Sequence, residues 1–559
     1  MARKQGTWIT AAAATGLALA LASAPARAQS TVRASVDSAG NESSNDSFVS
    51  AISGNGRFVA FTGIGDDLVP FDTNGVADIF VHDLQTGATV RVSVSTAGVE
   101  GNSGSGQPTI SEDGRFVAFR SSADNLVAGD TNGRNDIFMH DRKNATTWLA
   151  SVSGAGKLGN HDSDYPAISS DGRFVAFESR ASNLVAGDTN ACTDAFVHDN
   201  VTGTTERASV DSAGVEGNFD SYWPRISGDG DRVAFSSTAT NLVAGDTNGE
   251  LDVFVHDHST GTTRRVSLAW NGAEPTGFCD FAAISADGRF VAFGSAAPNL
   301  VPNDLNGCTD TFLVELSSGS IERVSIDSAG NEGSATSDVC DVSADGRFVA
   351  FHTWADDLAA GDTNGLLDVL VRDRALGLTW RASVPDAGGQ STGPSFSPSI
   401  SDNGRAIVFD SPTSDLVAGD TNLNYDVFVR RVVASSWTEY GAGWPGTLGV
   451  PDLTAQHDPV LGTAATVDVG NSAGVSTIAL LAVGYARVNL PTTADGTLLV
   501  DAALWAVLPL PSLGLSLAGS LPDDEALDGF VLDLQVLEAD AGASHGISFS
   551  RGLELVLGR

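Results

Sequence analysis

The segment Asp-x-Asn-x-x-x-Asp occurs seven times in this chain, each copy starting 58 residues after the last. The copies supply Asp72, Asn74 and Asp78; Asp130, Asn132 and Asp136; Asp188, Asn190 and Asp194; and Asp246, Asn248 and Asp252. Asp304, Asn306 and Asp310; Asp362, Asn364 and Asp368; and Asp420, Asn422 and Asp426 complete the series. A fixed period without insertions means one structural unit repeated in a row. Periods of roughly 20–50 residues mark solenoids, propellers and arrays, and a slightly longer one leaves room for loop.

One unit carries four strand signals and no helical periodicity. In the second copy, Gln107 to Ser111 leads into Glu112-Asp113-Gly114 and then Arg115-Phe116-Val117-Ala118-Phe119. Asp-Gly between apolar runs predicts a hairpin. After the Asp130 loop come Ile137 to His140, a polar turn, and Thr147 to Val152. The second strand is apolar almost throughout, so both its faces should be buried, as between stacked propeller blades.

The ends of the array predict how it terminates. The fourth-strand pattern Thr-x-Arg-x-Ser-Val also appears at Thr31 to Val36, ahead of any first strand, and is absent after Val427 to Arg431. The amino-terminal strand is therefore expected to complete the last unit and remove two open sheet edges. Thr31 to Ser436 spans 406 residues, seven whole periods. The fold expected is all-β: a seven-bladed β-propeller over residues 29–436, closed by its N-terminal strand.

Ser285 to Phe293 reads Ser-x-Asp-Gly-Arg-Phe-Val-Ala-Phe, and Asp252 to Arg265 adds Asp-Val-Phe-Val-His-Asp, Thr-Gly and an Arg-rich strand. This pattern resembles the TolB-type, WD40-like (PD40) propeller repeat, and all seven units carry it. The resemblance implies the fold and an interaction platform; it does not imply one activity. Residues 437–559 alternate apolar runs with Gly, Pro and Asp, which predicts a smaller β-sandwich-like domain. Tyr440 to Thr447 resembles the opening of a carboxy-terminal module of exported bacterial proteins, with Trp444 where that module commonly has Cys.

Residues 1–28 read as a signal peptide. Arg3 and Lys4 precede an apolar stretch from Ala11 to Ala22, and Ala26-Arg27-Ala28 is a small-x-small cleavage site. An exported protein, periplasmic, cell-surface or secreted, is expected. The formal net charge is −38; a leader with three basic residues and no acidic one leaves −41 on the rest. That excludes nucleic acid and anionic membrane as partners, because both would be repelled. A protein, peptide or glycan ligand remains. Of the cysteines Cys192, Cys279, Cys308 and Cys340, Cys308 is expected to pair with Cys279 or Cys340, as an oxidising compartment allows.

Three repeated features carry chemistry. Asp130, Asn132 and Asp136 have the first, third and seventh spacing of a calcium loop, so the 21 residues named above are candidate calcium ligands. The middle carboxylate and the distal bidentate Glu are missing, so side-chain turn chemistry is the preferred reading. Arg57, Arg115, Arg173, Arg289 and Arg347 should pair across strands with Asp83, Asp141, Asp199, Glu315 and Asp373. Breaks are expected in the fourth unit, where the Arg shifts to Arg232, and in the seventh, where Arg431 replaces the acid. His82, His140, His198 and His256 recur at one position, too far apart to share a metal, and read as packing residues.

No nucleophile elbow, His-Glu-x-x-His or phosphate loop is present. The favoured function is non-enzymatic binding or scaffolding at the loop-rich acidic face or the axial channel. The alternatives are a calcium-stabilised surface protein and a carbohydrate-active or other propeller enzyme with axial carboxylates. Trp223, Trp270, Phe278 and Trp354 depart most from the repeat; they are candidates for an aromatic patch for sugar or peptide, with ordinary packing variation the preferred reading.

Overall fold

The structure is a computed structural model that describes residues 31–557, apart from 387, 433–435, 441, 457–458, 460–462, 493–496 and 522–530. The expected leader therefore lies outside the described residues. The chain divides into two compact units, Ser30–Arg431 and the segment from Val432 onward.

The first unit is a propeller-type array of seven four-stranded antiparallel sheets. In the second sheet the strands are Ser105–Ile110, Phe116–Ser121, Asp136–Asp141 and Thr146–Leu149. Second and third strands are sealed on both faces. Val117, Ala118, Phe119, Ile137, Phe138 and Met139 are all 0% exposed. Phe119 stacks on Phe138 with centroids 5.9 Å apart, and Phe61–Phe80 and Phe177–Phe196 repeat that contact. Most core clusters of this unit draw on two adjacent sheets, as when Ala60, Ile79 and Val81 pack on Val117 and Phe119.

The hairpin turn shows why the repeat needs its glycine. The Ser111 hydroxyl donates to Asp113, whose carboxylate also accepts from the Arg115 amide, at 2.9 Å each. Gly114 then takes φ +73°, and a Cβ there would lie 2.0 Å from the Phe58 ring of the preceding sheet. Both the turn and the close approach exclude a side chain.

The last sheet is completed from the other end of the array. Thr31–Arg33 pairs antiparallel with Asp426–Arg431, in the register Thr31↔Arg430 and Arg33↔Phe428. The Thr31 hydroxyl donates to the Val384 carbonyl at 2.7 Å. Ala34 joins one core cluster with Val59 and Phe61 of the first sheet and Val427 and Val429 of the last.

The second unit has a six-stranded and a three-stranded sheet. They share one apolar core, in which Leu453, Val467 and Val469 meet Leu481, Leu534 and Leu553. The strands Ser436–Tyr440, Leu453–Ala455, Leu515–Ser520 and Ile547–Phe549 lie outside the main apolar runs of this segment. Leu453–Ala455 is short, and flanking Gly and Pro interrupt the apolar pattern near them.

Candidate functional site

The Asp-x-Asn segments join second to third strands and lie against the loop that leads to the next sheet. The third aspartate of each copy starts the third strand and is fully buried: Asp78, Asp136, Asp194, Asp252, Asp310, Asp368 and Asp426 are all 0% exposed. Each accepts a hydrogen bond from a serine two residues past the end of the fourth strand, Ser151 to Asp136 at 2.6 Å being typical. The Asn oxygen caps a turn by accepting the amide two residues on, as Asn132 does from Arg134. The Asn amide group donates to the third aspartate at Asn74, Asn132, Asn190, Asn248 and Asn306, over 2.7–3.1 Å. Asn364 and Asn422 donate instead to the carbonyls of Ser391 and Ser43.

The repeated carboxylates gather around a cation that the chain itself supplies. Arg265 Nη1 lies 3.2 Å from Asp246, 3.0 Å from Asp252 and 2.9 Å from Glu274. Arg91 joins Asp72, Asp78 and Glu100 in the same way, and Arg207 joins Asp188, Asp194 and Glu216. Arg323 serves Asp304, Asp310 and Glu332; Arg33, from the displaced strand, serves Asp420, Asp426 and Glu42. Arg381 serves Asp362 and Asp368, with Gln390 where the other loops have Glu. The second repeat alone has neither: Leu149 stands at the Arg position and Leu158 at the Glu position. There burial raises the Asp130 carboxyl and pushes Asp136 up to about 6. Among the described residues, no group of three or more His, Cys, Asp or Glu is arranged to hold a metal ion.

The hairpin arginines form the expected cross-strand pairs, such as Arg115 with Asp141 through two bonds of 3.0 and 2.6 Å. That pairing holds Asp141 down at about 2. The shifted Arg232 does not break the series as expected: Nε still reaches Asp257 at 3.3 Å, because the two residues are directly opposed in register. In the seventh unit Arg431 donates to the Leu84 carbonyl instead. The recurring histidines are internal. His82 Nδ1 meets the Thr89 hydroxyl at 2.8 Å, and that hydroxyl gives its proton to the Val36 carbonyl, so Nδ1 is the donor. The expected Cys308 disulfide is not formed; all four thiols are free. They sit in separate surroundings, with Cys279 buried on Ser295 and Cys340 directed at the Phe281 carbonyl.

Repeat identity breaks in the first strands rather than in the loops. The second to fifth residues of the first six of these strands read Phe-Val-Ser-Ala, Gly-Gln-Pro-Thr, Asp-Tyr-Pro-Ala, Tyr-Trp-Pro-Arg, Asp-Phe-Ala-Ala and Asp-Val-Cys-Asp, and the equivalent residues from Phe396 in the seventh read Phe-Ser-Pro-Ser. Each strand bulges there, and the third residue takes positive φ: Val49, Gln107, Tyr165, Trp223, Phe281, Val339 and Ser397, between 37° and 54°. Seven non-glycine residues held left-handed at one register show a backbone over-determined by its surroundings, of the sort that re-aims side chains.

Three of these residues, Tyr165, Trp223 and Phe281, are joined by ring contacts. Trp223 stacks on Phe281 at 4.6 Å and meets Tyr165 edge-on at 6.5 Å and Tyr222 at 5.6 Å. Trp270, Phe278 and Trp354 are exposed and make no ring contact among the described residues, so of the four only Trp223 belongs to this stack. Around the stack, Arg120 Nε bonds Asp164 at 2.9 Å, the Trp223 amide donates to Glu178 at 2.7 Å, and His352 Nε2 bonds Asp338. Burial pushes Glu178 up to about 7, and burial with the Asp338 charge does the same to Asp280.

No protein-family model and no curated protein matches the chain. Solved structures similar to it include the putative TolB from Agrobacterium tumefaciens, at 17% identity over 50% of this chain and 80% of that one, with a TM-score of 0.32. The WD40 repeats of RRP9 are 9% identical over 69% and 94%, with a TM-score of 0.35. An ulvan lyase of polysaccharide lyase family PL25 is 10% identical over 72% and 96%, also at 0.35. At such overlaps the fold rests on the strand pairing of the chain itself.

Proposed function

We propose that this chain is an exported, non-enzymatic binding protein whose seven sheets close into a seven-bladed propeller. Its first strands would line the axis, with a protein, peptide or glycan ligand seated on their divergent surface. Closure is supported by Thr31–Arg33 completing the last sheet and by contact between the first strands of the last and first sheets, Phe396–Ile400 and Ser47–Ile52. The observation that carries the binding reading is where the repeats diverge. Loops and third strands stay nearly uniform, while the bulged first-strand residues, and the fifth residue of the second strand beside them, differ in every unit. A scaffold alone has no use for that variation, and a single asymmetric site requires it.

The aromatic stack gives the test a signal. Candidate peptides and oligosaccharides titrated into residues 29–559 should change tryptophan fluorescence, and Trp223→Ala should abolish the change while leaving the melting temperature within a few degrees. Binding that survives Trp223→Ala would move the ligand elsewhere. A second reading, an enzyme with axial carboxylates, is favoured by the raised Asp280 beside the Asp338–His352 pair. Turnover of any ligand, lost in Asp280→Asn, would replace the binding reading with this one.

A further inference from the structure

We infer that Asp280, Asp338 and the Ser236 hydroxyl form a site for an organic cation, a guanidinium or alkylammonium group. The inference rests on the binding surface proposed above and assigns the chemistry of its ligand.

The geometry comes from one repeated position. The fifth residue of each second strand pairs with the second residue of its own first strand and faces the next sheet's first strand. Arg120 shows this by bonding Asp164, and Glu178 by accepting from Trp223. Gly294 shows it too, since a Cβ there would lie 3.3 Å from Asp338 Cβ and 3.4 Å from Asp280 Oδ1.

At the junction of the second and third sheets the chain fills this position with its own guanidinium. Arg120 sits opposite Gly106 and binds Asp164 of the next sheet. At the junction of the fifth and sixth sheets the roles are exchanged. Gly294 has no side chain to offer, Asp280 stands opposite it, and Asp338 takes the place of Asp164. Two carboxylates therefore meet where the other junction has a carboxylate and a guanidinium.

Their partners are incomplete. Asp338 holds His352, but Asp280 accepts no hydrogen bond and joins no ion pair among the described residues. The same position in the fourth sheet is Ser236, which the repeat register places on the side of Asp280; it is 0% exposed and its hydroxyl has no partner. Phe281, the residue after Asp280, stacks on Trp223, and such aromatic surface is suited to a cation. Elsewhere the chain meets its acids with its own arginines, at six of the seven Asp-x-Asn loops and at the hairpin ends. A half-buried carboxylate pair without such a cation either keeps a proton or takes a cation from outside.

Isothermal titration of residues 29–559 at pH 7.5 tests this with agmatine, N-acetyl-arginine amide and the neutral N-acetyl-glutamine amide. Agmatine, the arginine derivative or both should bind and the glutamine derivative should not. Asp280→Asn should weaken binding about tenfold or more, as expected when one partner of a desolvated pair is removed. Gly294→Arg should abolish it by installing the chain's own guanidinium, with the melting temperature kept or raised. Stronger binding of agmatine would indicate a small free cation, and stronger binding of the amide a polypeptide side chain; both support the site. Equal affinity for the glutamine derivative, or none of these changes on substitution, would overturn it. A ligand lost in Trp223→Ala but kept in Asp280→Asn would leave the binding function standing and remove this inference alone.

Discussion

Replacing Arg265 by leucine separates an arginine that holds a loop together from one that merely decorates it. The side chain is 6% exposed and touches two buried aspartates and the more solvated Glu274. Removing it leaves Asp252, 0% exposed, with only its Ser267 and Asn248 hydrogen bonds. Breaking a buried ion pair from one side costs about 3–5 kcal/mol. Leucine regains some apolar contact, so the lower end, about 3 kcal/mol, is expected. Unfolding entropy of about 2.1 cal/mol/K per residue, over the roughly 400 residues of this unit, converts that to a fall of about 4 °C. Scanning calorimetry of residues 29–559 reads it directly. The double variant Arg265→Leu, Glu274→Leu copies the wild-type second repeat, Leu149 with Leu158, and should lose less than the single variant because one stranded carboxylate is gone. A single variant within about 1 °C of wild type, or a double variant worse than the single, would refute the reasoning.

The same arginines predict that a chelator leaves the melting temperature unchanged, since a guanidinium already lies among the carboxylates of six loops; a fall of several degrees would restore the calcium reading. Burial pushes Asp410 up to about 7, and a carboxyl raised in the folded state contributes stability below its unfolded value, near 4, that is lost as pH rises through the folded one. Asp410→Asn should therefore gain on wild type between pH 5 and 7.5 in thermal melts; a gap that narrows across that interval contradicts the assignment. The comparison needs the variant, because the buried histidines, lowered by burial, act in the opposite sense. Deleting residues 31–36 bares the Asp426–Arg431 edge and should lower soluble yield and promote concentration-dependent aggregation, measured by light scattering. A deletion product as soluble and monodisperse as the full chain would sink that expectation.

Much of the first unit could be read from residues alone, because its determinants are local. Apolar second strands bury both faces, Asp-Gly sets each hairpin, and residues such as Arg115 and Asp141 meet through simple antiparallel register. The displaced Thr-x-Arg-x-Ser-Val strand at Thr31 was visible for the same reason. The arginine at the centre of six of the acidic loops was not, since it arrives from the fourth strand and, for the last loop, from the opposite end of the array. Fixed spacing from Asp72 to Arg91 and Glu100, with both partners changed to leucine in the second repeat, was the available signal. The first-strand surface was hidden by a bulge built on Val49, Gln107, Tyr165, Trp223, Phe281, Val339 and Ser397, none of which announces a left-handed backbone.

The pairing of Thr31 with Arg430 also has a kinetic side. The two residues are about 400 positions apart, and bringing such distant segments together carries a loop-closure entropy that no local contact offsets. Six sheets can form from contiguous chain as it emerges, but the seventh waits with three strands until the first-made segment returns. Folding should therefore end in a slow docking step, during which one strand edge stays open to other molecules. A circular permutant that joins the two ends and opens the chain between two other sheets would make that last sheet local, and its refolding would show where the delay resides.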